Sequence, residues 1–229
     1  MLRKPLAIAT IVSIATMAMM TALSATAVRA AAPAAAARVD AKQALRLLLE
    51  GNERFRASKM EHPLQTPARR EELVKGQHPL AAILACSDSR TPPEILFDRG
   101  LGDLFVARVA GNVADQVVIE TLDYAVTHLG VRLIMILGHT RCGAVIAAVL
   151  GHDEPGDVGP MLSELKPAVA AAKKMQGDQV DNTVRENVKL VVQNLSQSAE
   201  LSAMVNSGEL KIVGGIYDLE SGKIKLLED

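Results

Sequence analysis

The sequence predicts an α/β protein, a single domain built on a mainly parallel central β-sheet flanked by helices. Three observations lead there. The runs Leu80–Ala85, Leu104–Val109 and Val131–Leu137 are apolar nearly throughout, as strands covered on both faces are. Between them lie longer segments whose apolar residues recur at helical spacing, and strands alternating with helices imply parallel pairing. About 190 residues remain once the N-terminal segment is set aside, enough for one sizeable core. No internal repeat or second domain boundary interrupts them.

The first 30 residues are expected to be a signal peptide. Arg3 and Lys4 make a short basic start, the acid-free stretch Pro5–Leu23 is apolar, and small residues offer cleavage after Ala27 or Ala30. The same stretch approaches the length of a bilayer span, so an uncleaved anchor is the alternative. Either way the rest of the chain faces an exported space, periplasmic or secreted. Residues 31–39 read as an alanine-rich tether, and residues 40–229 as the folded domain.

Along the domain, Asp40 is a candidate N-cap for a helix carrying Ala44, Leu45, Leu48 and Leu49 toward Phe55. Residues 59–70 hold two prolines and mixed charge and read mainly as loop. Strands are expected at Ala81–Ala85 and Leu104–Val109. A helix follows over Asp115–Leu129, with Val118, Leu122, Ala125 and Leu129 on one face and a stop at Gly130. After the strand Val131–Leu137, a helix is expected over Ala144–Leu150, then a turn-rich loop from Gly151 to Gly159. Two further helices cover Met161–Lys174 and Asn182–Gln197. Strands Leu210–Tyr217 and Lys223–Leu227 close the chain around a Ser221-Gly222 turn.

Composition excludes some functions. Removing residues 1–30 takes away Arg3, Lys4 and Arg29, leaving 22 basic against 26 acidic residues, near −4. With two tyrosines, three phenylalanines and no tryptophan there is neither a basic footprint nor a stacking platform for nucleic acid.

The only two cysteines stand in two loaded clusters, Cys86-Ser-Asp-Ser-Arg90 and His139-Thr-Arg-Cys142, each directly after an apolar strand run. In parallel sheets, ligand sites lie beyond the carboxyl ends of strands, so the clusters can meet although more than fifty residues separate them. Two thiols, an imidazole and a carboxylate suit a tetrahedral zinc ion. Cys86, His139 and Cys142 supply three ligands. The fourth is either Asp88, giving a closed site, or a water whose pKa the metal lowers toward roughly 7. Arg90 can pair with Asp88 and hold it off the metal, leaving it to orient that water; a plain loop salt bridge is the other reading. A single disulfide is the alternative for two cysteines in an exported chain.

These residues resemble the β-class carbonic anhydrases. That family's zinc pattern, Cys-x-Asp-x-Arg and then His-x-x-Cys after apolar strands, reads here Ala85-Cys-Ser-Asp-Ser-Arg90 and Gly138-His-Thr-Arg-Cys-Gly143. The segment from Gly102 to Asn112 (Gly-Asp-Leu-Phe-Val-Ala-Arg-Val-Ala-Gly-Asn) looks like the family's central segment, and Glu120–Val126 like the helix after it. The similarity runs from about Ala41 to Leu227. It implies one zinc ion per subunit on Cys86, His139 and Cys142, with Asp88 as a fourth ligand in a closed state. In an open state Asp88 pairs with Arg90, and zinc-bound hydroxide attacks carbon dioxide to give bicarbonate and a proton. Gln77, Phe105, Tyr124 and the backbone N–H of Gly143 match substrate-pocket positions. Family members are dimers or higher even oligomers with the site beside the subunit interface, so a homodimer or homotetramer is expected.

One subgroup of the family binds bicarbonate as an effector through a tryptophan three residues before the first cysteine. Here that residue is Ile83, with Ala85 before the cysteine, although Arg108 and Tyr217 match the other effector positions. An open site near neutral pH is therefore expected. His62, His78, His128 and His152 read as solvated surface residues, and Glu186-Asn187 as a solvated face or intersubunit contact. Two other functions stay open on the same residues. One is hydrolysis of a related heteroallene such as carbonyl sulfide or carbon disulfide; the other is a zinc-stabilised binding protein without turnover.

Overall fold

A computed structural model of the chain describes residues 39–151 and 159–228. The expected signal segment, the tether up to residue 38 and His152 lie outside them. Five strands, β1 (Ala81–Ala85), β2 (Leu104–Arg108), β3 (Leu133–His139), β4 (Lys211–Tyr217) and β5 (Ile224–Leu226), form one sheet in the order β2-β1-β3-β4-β5. The first four run parallel, and β5 returns antiparallel to β4. Asp218 closes that return, its Oδ1 accepting from the Ser221 N–H at 2.7 Å. The described helices are α1 (Ala41–Arg56), α2 (Pro67–Leu73), α3 (Pro93–Leu96), α4 (Gln116–Thr127), α5 (Gly143–Leu150), α6 (Gly159–Ala172), α7 (Gln179–Ser196) and α8 (Ser202–Asn206).

Local chemistry accounts for the long helices. Asp40, Asp115 and Asp178 each accept the N–H three residues on, at 2.7, 2.9 and 2.8 Å, capping α1, α4 and α7. The expected loop over residues 59–70 is corrected at its end by α2. Thr66 caps it through the Arg69 N–H at 3.2 Å and Pro67 opens its first turn, but none of its residues is buried. With no apolar stripe, periodicity had nothing to register. Helices α3 and α8 are too short to show any.

Side chains alternate between the two faces of the sheet. Ala82, Leu84, Ile134, Ile136, Ile212 and Ile216 join Leu122, Leu165 and Val188 of α4, α6 and α7 on one side. Ala81, Ile83, Ala85, Leu133, Met135 and Leu137 join Leu48, Leu96 and Phe97 of α1 and the α3 segment on the other. Each fully buried Leu or Ile contributes roughly 1.5–3 kcal/mol. Both central strands are buried at every position, which is why they read as unbroken apolar runs. Helix α7 approaches β3 closely because Gly138 has no Cβ, which would stand 2.8 Å from Val188 Cγ2. The edge strand β2 is only half-buried along its whole length.

Candidate metal centre

Strand β1 has β2 on one side and β3 on the other, so the chain order reverses at the β1/β3 pair. That switch point is where a parallel sheet opens a crevice at its carboxyl edge. Cys86 is the first residue after β1, His139 is the last of β3, and Cys142 is the N-cap of α5. Their exposures are 4%, 1% and 1%.

The ligand atoms of these three residues lie within 4.8 Å of one another. The two thiols are free, with Sγ atoms 3.9 Å apart. Two sulfurs at about 2.3 Å from a tetrahedral zinc would stand about 3.8 Å apart. His139 Nδ1 is 2.9 Å from the Thr140 carbonyl, to which it donates as N–H. This orients the ring and leaves the Nε2 lone pair free. His139 Nε2 is buried and makes no hydrogen bond. An orphaned buried nitrogen beside two thiols fits a zinc ion, since a ligand without its metal leaves such a gap.

The sulfurs differ in electrostatic setting. Cys86 sits well below the ordinary thiol range: its hydrogen bond with Cys142 favours the thiolate most, burial opposes, and His139 with the N–H groups of Asp88 and Gly111 also favour it. Cys142 is raised by its hydrogen bond with Cys86 and by burial. Both sulfurs bind a metal as thiolates, so a divalent cation would displace any proton they hold.

Asp88 faces this cluster, its Oδ2 3.9 Å from His139 Nε2. Arg90 grips the carboxylate in a fork, Nε to Oδ1 at 2.9 Å and Nη2 to Oδ2 at 2.7 Å, and its backbone N–H adds a third bond at 2.9 Å. The Arg90 guanidinium holds the Asp88 carboxyl well below the usual carboxylate range.

The loop bearing Cys86 and Asp88 is strapped by Arg108. Its Nε donates to the Cys86 carbonyl at 2.9 Å and its Nη2 to the Asp88 carbonyl. These donors of Arg108, one of the two matched effector positions, are thus spent on the loop. Tyr217, the other, is buried with its ring 6.5 Å from Phe55. The second loop is tied to β4: the Thr140 N–H donates to the Tyr217 carbonyl at 3.0 Å, and Thr140 Oγ1 accepts from the Leu219 N–H at 3.1 Å.

Gly143 opens α5 next to Cys142, and a Cβ there would meet nothing within 4 Å. Gln77, Phe105 and Tyr124 are elsewhere. Gln77 precedes β1 and is exposed at the amino edge of the sheet. The five residues of β1 separate that edge from Cys86 by about 17 Å, at about 3.3 Å per residue. Phe105 pairs in register with Ala82, near the start of β1, and its ring meets that of Tyr124 at 6.2 Å. Tyr124 is 45% exposed on α4 and stacks on His128 at 4.8 Å. Within one chain these three stay apart from the metal cluster. His62, His78 and His128 are exposed.

The expectation for Asn187 is corrected. It is 3% exposed, and its Nδ2 donates to the Gly111 carbonyl at 2.9 Å. A polar residue inside the stripe Val184, Val188 and Val191 was the available signal, because a buried amide needs a partner. Glu186 beside it pairs with Lys189 at 2.9 Å.

Residues 81–224 match the family model described as carbonic anhydrase. The chain is 41% identical over 188 residues to carbonic anhydrase 2 of Mycobacterium tuberculosis, covering 80% of this chain and 91% of that protein. It is 39% identical over the same length to a carbonic anhydrase of Mycolicibacterium smegmatis. Among solved structures, a tetrameric β-carbonic anhydrase of Sordaria macrospora superposes with TM-score 0.65 at 26% identity, over 81% of this chain and 97% of that one. The Coccomyxa β-carbonic anhydrase in complex with acetazolamide gives TM-score 0.64 at 28% identity, over 80% and 86%. With this ligand geometry on this sheet, the chain belongs to the carbonic anhydrase family, in its β class.

Proposed function

We propose that this chain catalyses the reversible hydration of carbon dioxide to bicarbonate and a proton, using one zinc ion per subunit held by Cys86, His139 and Cys142. The observation that carries this is the convergence of three buried ligand atoms within 4.8 Å around the unpartnered Nε2 of His139. Bound zinc supplies a positive charge that lowers the pKa of a water toward roughly 7. Asp88 accepts a hydrogen bond from the attacking water and orients it. Arg90 keeps Asp88 ionised and turned to that task, and a scaffold site without turnover would have no use for this pair. The Gly143 N–H, free at the start of α5, donates to substrate oxygen.

Gln77, Phe105 and Tyr124 complete the pocket from a neighbouring copy, so that the active unit is a homodimer or homotetramer. Two features support this reading: these residues lie apart from their own metal cluster, and the apolar edge strand β2 beside them is half-buried and, among the described residues, has no strand partner on its outer side. The basic start, the apolar run Pro5–Leu23 and the alanine-rich cleavage region support export. Cell fractionation with intact-mass measurement tests that; full-length protein in the cytoplasm would refute it.

The deciding experiment measures zinc content and carbon dioxide hydration by stopped flow on one preparation. Stoichiometric zinc with rapid hydration is expected. Zinc-loaded protein that hydrates no carbon dioxide would overturn the reading, and parallel assays with carbonyl sulfide and carbon disulfide would show whether it turns over a related heteroallene instead.

A further inference from the structure

Asn187 lies 76 residues from Gly111 in the chain, yet its side chain is committed to it. The acceptor is a glycine with φ 69° and ψ 12° in a short 3-10 turn, Ala110–Asn112. A Cβ on Gly111 would stand 3.3 Å from Ala144 Cβ and from Leu165 Cδ1, so the residue is wedged against α5 and α6. On the other side of the same Cα, the Gly111 N–H donates to Cys86 Sγ, N to S 3.3 Å, in a buried bond. A continuous path therefore runs from α7 through Gly111 to a metal-ligand sulfur.

Cys86 Sγ accepts two backbone N–H groups. The Asp88 N–H, at 3.4 Å, belongs to its own loop and follows from the turn. The Gly111 N–H arrives from a separate segment, and its aim depends on what holds that segment. The Asn112 N–H closes the turn on the Val109 carbonyl at 2.8 Å, and among the described residues the hydrogen bond that ties it to the long helix α7 comes from Asn187. Hydrogen bonds onto a metal-bound thiolate withdraw charge from the sulfur and fix its direction.

We propose that Asn187 is a positioning residue for the metal thiolate: by holding the Gly111 carbonyl it aims the Gly111 N–H at Cys86 Sγ and so sets how tightly zinc is retained. This rests on the metal reading of the site. A purely structural Asn187 would stabilise α7 and leave the sulfur indifferent.

Asn182 provides a matched control. It is 4% exposed on the same helix, and its Nδ2 donates at 3.0 Å to the Gln176 carbonyl, a bond of the same kind that does not lead to Cys86. Zinc release to excess chelator and the thiolate-to-metal charge-transfer absorption of the cobalt-substituted protein are measured on wild type, Asn187→Ala and Asn182→Ala, beside thermal melts. Asn187→Ala is expected to release zinc roughly tenfold faster and to shift the absorption. Asn182→Ala should lose heat stability yet match wild type in both. Equal release and equal spectra for the two variants would overturn the assignment. Should Asn187→Ala fail to fold, cadmium-113 NMR on wild type and Asn187→Gln takes its place. The Gly111 amide should couple to cadmium through the sulfur in wild type and less in the variant. No coupling in wild type, or the same coupling in both, also overturns it. If wild type takes up none of the three metals, the metal centre itself fails and the assignment with it. If wild type binds them and Asn187→Ala behaves like Asn182→Ala, only the role of Asn187 falls.

Discussion

At the carboxyl edge of the sheet, Cys86, His139 and Cys142 are almost wholly buried, and the two ligand loops are tied to β2 and to the end of β4. On the flank made by β2 and α4, Tyr124 is 45% exposed, and Gln77 lies open before β1. Both regions hold residues assigned to one pocket. The first is pre-organised by its own chain, through Arg108, Gly111 and β4. The second has aromatic surface and a half-buried edge strand that, among the described residues, lacks an outer strand partner. Supporting hydrogen bonds from its own chain orient a ligand site, whereas a pocket wall can be supplied when a second copy docks.

The most damaging test acts on the buried edge. Cys142→Ser is expected to lose zinc together with hydration, a fall of at least about a thousandfold in kcat/KM, since water activation depends on the metal. Metal analysis beside the assay checks it, and a zinc-free variant with near-normal rates would break the picture of this edge. Arg90→Ala comes next. It leaves the three buried ligands in place, so most zinc should remain while activity falls by roughly ten- to a hundredfold, as for lost supporting partners of a metal site. Full activity in that variant would remove Asp88 and Arg90 from the mechanism.

The division between edge and flank is tested more directly by mixing. Tyr124→Ala should keep its zinc and lose about tenfold in activity, and Cys142→Ser should be inactive. If each pocket joins one copy's metal to another copy's Tyr124, hybrids of the two variants contain one intact site. Co-refolding equal amounts would then restore roughly a quarter of wild-type activity, since about half the dimers are hybrids with one of two sites whole. No recovery beyond the Tyr124→Ala background would place the whole pocket within a single chain.

The smallest effect on catalysis is expected at Asp98, in the connection from β1 back to β2. Its carboxylate meets Arg54 Nε at 2.6 Å and the N–H groups of Glu61 and His62 at 3.0 Å each. Burial alone would raise its pKa, but these donors outweigh burial and hold it below the ordinary value. A lowered folded-state pKa gives stabilisation that is complete above the unfolded value near 4 and is lost as pH falls through the folded value. Asp98→Asn should therefore cost roughly 2–4 kcal/mol at neutral pH, less than a wholly buried pair because Arg54 keeps some exposure. Denaturant titrations should show that gap narrowing in acid, with zinc content unchanged at neutral pH. A gap independent of pH would show that the carboxylate's charge is not what stabilises this connection.

Much of the fold was legible because the signals were local. Both central strands are apolar at nearly every position, and three helices begin at an aspartate that caps them. Helix α2 escaped because a helix that buries nothing leaves no stripe, although Thr66-Pro67 marked its start. The ligand clusters were legible because chemistry at a strand end is compact in sequence. Asn187 was not, since the partner that explains its burial is 76 residues away.

By itself the sequence determined the fold class, the two cysteine clusters and the expectation that they share an edge, because periodicity and short motifs are properties of neighbours along the chain. Only the tertiary structure decided that Asp88 lies in the grip of Arg90, that Arg108 is committed to the ligand loop, and that Gln77, Phe105 and Tyr124 stand apart from their own metal cluster. The physical reason is distance. Which donor reaches which acceptor depends on how β1, β2 and β3 are laid side by side, and strand order is set by packing the whole sheet between its helices rather than by any local stretch of residues.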